Sequence, residues 1–152
     1  MEMLNEAQLI ERELTLRSLR VTKEVMETRR SMVRWIALSI GVISPGESRL
    51  SALSVLDAML HFQFVERRDP SVLDIAAYIS DHWSAMNEKT LRYHLLQLKR
   101  MNMVANSEGR YSLVPPEIGD KYDCEAWISS YIDRETGPIK ERAMMVIRGL
   151  RG

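Results

Sequence analysis

A chain of 152 residues has room for one core of ordinary size and some additional helices. Its hydrophobic content of 45%, with only five Pro and seven Gly, is that of a globular protein and excludes long disordered tracts. The 21 basic and 21 acidic side chains cancel, so no global field draws the chain to nucleic acid, and any such attraction must come from local segregation of charge.

In chain order, residues from about Leu4 to Ile40 lack Pro and Gly and are rich in Leu, Glu, Arg, Met and Val. This favours one long helix of roughly 35 residues, spanning about 50 Å. Leu14, Val21, Val25, Met32 and Trp35 share a stripe that Ser18 and Thr28 interrupt. A helix this long exceeds what a small domain covers, so a dimerisation arm over 1–43 is expected. Gly41 and Ser44-Pro45-Gly46 end it. A second helix is expected over Ser48–Phe64, with Leu50, Leu53, Leu56 and Leu60 apolar. Asp69-Pro70-Ser71 then resets the chain, and Ser71 can cap a helix over Val72–Ser80. Asp81–Met86 reads as a connection, and Asn87 caps the next helix, Lys89–Met101. Asn102 suits a left-handed stop. Met103–Asn106 and Arg110–Leu113 read as two short strands around Ser107-Glu108-Gly109. Pro115-Pro116 breaks the pattern, and two more helices are expected, Asp123–Arg134 and, after Gly137-Pro138, Ile139–Arg148. The whole reads as mainly α with a small β-hairpin: the arm, a central unit over 44–116 and a C-terminal helical extension over 117–152.

The stretch from Asp69 to Pro116 carries the functional signal. On the helix from Lys89, Leu91, Leu95 and Leu98 fall on one side, and Lys89, Arg92, Tyr93, Leu96, Gln97 and Arg100 on the other. Arg and Lys donate to guanine edges or phosphates, and Gln pairs with adenine. Residues 87–114 hold Lys89, Arg92, Lys99, Arg100 and Arg110 against Glu88 and Glu108, a local +5 − 2 = +3. Residues 117–135 hold six acids against Lys121 and Arg134, a local −4. A helix-turn-helix with an appended hairpin and a basic outer face is suited to place side chains in a DNA groove.

Thr90-Leu91-Arg92-Tyr93-His94-Leu95, followed by Leu98, Met103-Val104 and Gly109-Arg110-Tyr111, resembles the recognition helix and wing of winged helix-turn-helix transcription regulators. The resemblance covers about residues 48–114, and the chain departs from it with Asn102 where the family often has Gly. The Ile43-Ser44-Pro45-Gly46 lead-in, the long N-terminal helix and the Lys89–Leu95 run resemble archaeal members, in particular the euryarchaeal archaellum regulator type, activators of motility operons. The resemblance implies that Lys89, Thr90, Arg92, Tyr93 and Gln97 enter the major groove. It implies further that Lys99 and Arg100 meet phosphate, and that Arg110 on the wing meets the backbone or minor groove. Partners would be double-stranded DNA and a second copy of the chain, dimerising through the N-terminal helix, the C-terminal helices or both. Activation would need contact with basal transcription factors, for which the acidic 117–135 segment offers a place. A winged helix can also serve as a protein–protein interaction module in a transcription or chromatin complex without reading DNA sequence, and this is the competing reading.

Other chemistry finds little support. His61, His82 and His94 lie on separate elements, with no Cys or acidic residue at ligand spacing, so neither metal nor cofactor is expected. Cys124, the single cysteine, can form no intramolecular disulfide, and structural burial is its expected role. Asp57, Asp74 and Asp81 are accompanied by no nucleophile or phosphate loop, which argues against an enzyme. Trp35, Trp83 and Trp127 suit a ligand pocket or, more often, an interface. Met144 and Met145 suit an adaptable surface or a core gap. No apolar run approaches the ~18 residues of a membrane span, and Glu2, Asn5 and Glu6 do not start a signal peptide. A soluble, cytoplasmic protein is expected.

Overall fold

The computed structural model describes residues 5–152. Its elements are α1 (Glu6–Leu9), α2 (Arg29–Ser39), α3 (Ser51–Phe64), α4 (Val72–His82), α5 (Glu88–Arg100), β1 (Val104–Ser107), β2 (Arg110–Leu113) and α6 (Cys124–Leu150). The chain is thus mainly helical with one two-stranded antiparallel hairpin. It divides into two compact units, one ending at Glu47 and the other running Ser48–Gly152.

In the first unit the expected long helix is absent, and its starting residue, Leu4, lies outside the described residues. One helical turn, α1, is followed by non-helical chain to residue 28, and helix resumes only at α2. Thr28 causes the restart: its Oγ1 accepts from the Ser31 amide at 3.0 Å, and its own amide donates to Ser31 Oγ at 3.4 Å, which completes a capping box. The chain before it is tied to α2 and to the turn that follows α2 by hydrogen bonds. The Arg17 amide donates to Ser39 O at 2.8 Å, the Arg17 guanidinium to Leu38 O and Ile43 O, and Trp35 Nε1 to Arg20 O at 2.9 Å. Gly41 permits this approach: it has φ of +80°, and a Cβ there would sit 2.6 Å from Thr15 O. The premise for a helical dimerisation arm is therefore removed.

The second unit is organised around α3, which is buried on nearly every side and packs on α4, α5 and β2. Its apolar core joins Leu53, Leu56, Met59 and Phe62 to Ile75 and Ile79 of α4, Leu91, Leu95 and Leu98 of α5, and Met103, Val104 and Leu113 at the hairpin. Two buried polar side chains on α3 tie distant segments to it. Asp57 accepts from Tyr78 Oη at 2.8 Å and from Trp83 Nε1 at 2.9 Å. Gln63 Oε1 accepts from the Leu113 amide at 2.8 Å. Ser71 caps α4 through the Asp74 amide, and Asp74 returns the contact to the Ser71 amide at 2.9 Å. Beside this cap the hairpin gains a third, single-residue rung: Ser71 bridges Arg110, and the Tyr111 amide donates to Pro70 O at 2.8 Å.

Asn102 has φ of +60°, the expected left-handed stop after α5. β1 and β2 pair from Val104↔Leu113 to Ser107↔Arg110. The loop between them is Glu108-Gly109, both at positive φ (52° and 77°), as a two-residue hairpin turn that follows the twist of the strands requires.

The two expected C-terminal helices are one helix, α6, with Pro138 inside it. Proline removes one amide and crowds the preceding turn, and Thr136 Oγ1 donates to Ile132 O at 2.8 Å in that turn. The first half of α6 is anchored. Asp123 caps it, Trp127 and Tyr131 are buried, Tyr131 Oη donates to Met101 O at 3.3 Å, and Arg134 donates to Asn102 O at 3.0 Å. These last two bonds satisfy carbonyls at the open end of α5. Cys124, expected to be buried, is exposed, because it opens α6 on the outward side of the cap. No helix among the described residues is long and apolar enough to cross a membrane.

Candidate nucleic-acid interface

Asn87 starts α5 by accepting from the Thr90 amide at 2.8 Å, which fixes the rotation of the helix relative to its first turn. Burial of Leu91, Leu95 and Leu98 then directs the opposite side outward. Lys89, Tyr93, Leu96 and Arg100 form the centre of that outer face, with Arg92 and Lys99 on one flank and the half-buried Thr90 and Gln97 on the other. All seven α5 site residues read from the sequence therefore lie on one continuous side of the helix. Arg110 is exposed at the start of β2.

Two of the cations are already engaged. The Arg92 guanidinium binds Glu88 Oε1 through Nη2 at 2.7 Å and Nε at 2.9 Å, and both side chains are more than half exposed. The Glu88 hydrogen bonds hold the Arg92 pKa above its ordinary value, so its charge is constant at any working pH. Arg110 donates to Asp69 O at 3.3 Å and lies 3.6 Å from Asp74 Oδ2. Asp74 also binds Arg68 at 3.0 Å, so the acid at the α4 cap holds two cations beside the hairpin. Lys99 and Arg100 occupy the last turn of α5, where they complement the negative end of the helix dipole.

No local pattern announces the Asp69 and Asp74 contacts to Arg110, since about forty residues separate them and only the α3–α4–hairpin packing unites them. The Glu88–Arg92 pair, by contrast, was readable from its i,i+4 spacing. Tyr93 is 57% exposed and Leu96 44%, an apolar content that a solvated helix face has no need of.

Each tryptophan has a partner within its own unit. Trp83 binds Asp57, Trp127 lies 5.8 Å from the Phe64 ring, and Trp35 holds the first unit together. The histidines are less separate than expected. α3 and α4 bring His61 and His82 against the Tyr78 ring, at 4.6 and 4.1 Å, with the two imidazoles 6.4 Å apart, and His61 Nε2 lies 2.8 Å from Glu66. Among the described residues no group of three potential metal ligands converges. The chain matches no family model, no curated protein and no solved structure.

Proposed function

We propose that this chain is a sequence-specific, DNA-binding transcription regulator of winged helix-turn-helix type. In this reading α5 enters the major groove and the β1–β2 hairpin lies on the backbone or minor groove. The observation that carries the reading is the two-sidedness of α5, which buries three leucines against α3 and α4 while turning Lys89, Arg92, Tyr93 and Arg100 outward. The order helix, single-rung strand, helix, helix, hairpin supports the winged-helix assignment. The side chains then divide by task. Lys89, Thr90, Arg92, Tyr93 and Gln97 face bases, while Lys99, Arg100 and Arg110 neutralise phosphates. Two copies would present two such helices to half-sites about one helical turn apart.

Purified protein incubated with fragmented genomic DNA tests the reading, with Lys89→Ala/Arg92→Ala as control. A recurrent motif lost in the control supports it, and no enrichment over the control rejects it. The regulation of a motility operon rests on the sequence resemblance alone, and the genomic positions of the motif test it. A second reading, a protein-interaction module, is favoured by exposed Tyr93 and Leu96 and by the Arg92–Glu88 pair, which occupies the guanidinium. That reading requires the face to bind a protein whose association is indifferent to DNA sequence.

A further inference from the structure

The second half of α6 carries an apolar surface that nothing in its own unit covers. Every residue from 138 to 152 is exposed, including Ile139 (59%), Val146 (67%), Ile147 (60%) and Leu150 (78%). A four-turn extension containing Pro138, Gly149 and three β-branched residues has poor intrinsic helix stability and needs cover along its length. Ile139, Ala143, Val146 and Leu150 form one row at spacings of four, three and four. The same row continues back through the anchored half as Thr136, Ile132, Ser129 and Glu125, of which all but the half-buried Thr136 are exposed. Charge divides the helix at the same place. Residues 139–152 hold Lys140, Arg142, Arg148 and Arg151 against Glu141, a local +4 − 1 = +3, whereas the anchored half exposes Asp123, Glu125 and Asp133.

We propose that α6 pairs antiparallel with α6 of a second copy, crossing at Gly137-Pro138, so that the basic apolar half of each lies along the acidic half of the other. This deepens the dimeric part of the proposed function and is independent of its DNA-binding part. Antiparallel pairing sets opposite charges together, and parallel pairing would set like against like. In the register centred on Gly137-Pro138, Asp133 faces Lys140 of the second copy, and Glu125 comes near its Arg151. Small residues meet larger ones, with Ser129 against Val146 and Ala143 against Ile132. An open groove of about 350 Å³ beside the anchored half, between Ile118 and the Ala126–Asp133 side of α6, receives Ile147. Ile118, 90% exposed, then gains an apolar neighbour. The two-fold axis makes every contact occur twice, as a self-complementary interface requires.

Sedimentation velocity on the full chain without DNA tests this, with DNA affinity measured separately so that either part can fail alone. The native chain is expected to be a dimer. Lys140→Asp is expected to weaken dimerisation about tenfold, since two symmetric pairs are lost, and Asp133→Lys/Lys140→Asp to restore it. All these side chains are exposed, and circular dichroism confirms that each variant folds. In a Cys124→Ser background, Ser129→Cys/Val146→Cys is expected to give a covalent dimer on oxidation. A native monomer, a dimer indifferent to Lys140→Asp, or failure of the cysteine pair to cross-link overturns the proposal.

Discussion

Arg92 shows how one side chain on the outer face of α5 serves two partners. Its guanidinium is bound to Glu88 in the free protein, so reading a base requires leaving or sharing that carboxylate. Arg92→Ala is expected to cost about 1–3 kcal/mol of specific DNA binding and to relax preference at one base position. Glu88→Gln removes both the competitor and a charge repelled by phosphate, and is expected to tighten binding several-fold; weaker binding of Glu88→Gln in a mobility-shift titration would show that Glu88 positions Arg92 instead. Asp57 is a different kind of residue. Its spacing in the sequence suggested at most an acid–base group, yet it is buried between α3 and α4 and accepts from Tyr78 and Trp83. Tyr78→Phe withdraws one donor from a buried carboxylate and is expected to destabilise the fold by about 1–3 kcal/mol in urea unfolding. An unchanged midpoint would show that other donors replace the tyrosine.

At the scale of elements, what could be read from the sequence was what local rules decide. Ser71 and Asn87 as caps, Asn102 as the left-handed stop, the leucine stripe of α5 and the two strands all follow from one or two neighbouring residues, and the structure has each of them. The N-terminal segment failed because composition favours helix over 4–40 while Thr28 and the Arg17–α2 contacts favour a return of the chain, and those contacts span more than twenty residues. The Ser18 and Thr28 interruptions of its apolar stripe were the visible sign. α6 failed in the opposite sense, since Gly137-Pro138 reads as a break yet sits inside a continuous helix. The Glu108-Gly109 turn offers a direct test of local rules. Glu108 holds φ of +52°, a conformation that costs a residue with a Cβ about 1–2 kcal/mol and that Asn tolerates better. Glu108→Asn is therefore expected to stabilise the protein by roughly 0.5–1 kcal/mol, and a lowered melting temperature would contradict it. The α4 cap predicts an acid response. The Ser71 amide, then the Arg68 guanidinium, hold the Asp74 carboxyl below its ordinary value of 3.8 against the opposing effect of burial. A carboxyl depressed in the folded state stabilises above its unfolded value, and the contribution is lost as pH falls through the lower folded value. The gap in urea midpoint between native protein and Asp74→Asn is expected to be constant from pH 7 to about 5 and to close below about 4. A constant gap down to pH 2.5 would remove Asp74 as the titrating group.

For the whole molecule the decisive fact is that zero net charge conceals separate basic and acidic regions. The acidic stretch, expected to offer a surface to basal transcription factors, is partly spent on the fold. Asp120 binds Arg67 at 3.0 Å and Asp123 caps α6, which leaves Glu125 as the exposed acid of the three without a cap or ion-pair role in that stretch. Neutralising all three would therefore confound activation with stability, whereas Glu125→Gln alone isolates the surface. The basic stretch makes a quantitative claim through counterion release. If Lys89 and Arg92 read bases while Lys99, Arg100 and Arg110 meet phosphates, each copy neutralises about three phosphates, and log affinity should fall with log salt at a slope near −2.7. Two copies on two half-sites double that to about −5.4. Because the rest of the molecule adds no net attraction, binding to unrelated duplex should be weak at physiological salt, and Arg110→Ala should reduce the slope by about one unit per copy on every sequence alike. Affinity measured by fluorescence anisotropy between 50 and 200 mM salt reads both quantities. A slope near zero would detach the basic face of α5 from phosphate altogether, and a loss on Arg110→Ala confined to one sequence would move the hairpin from the backbone to the bases.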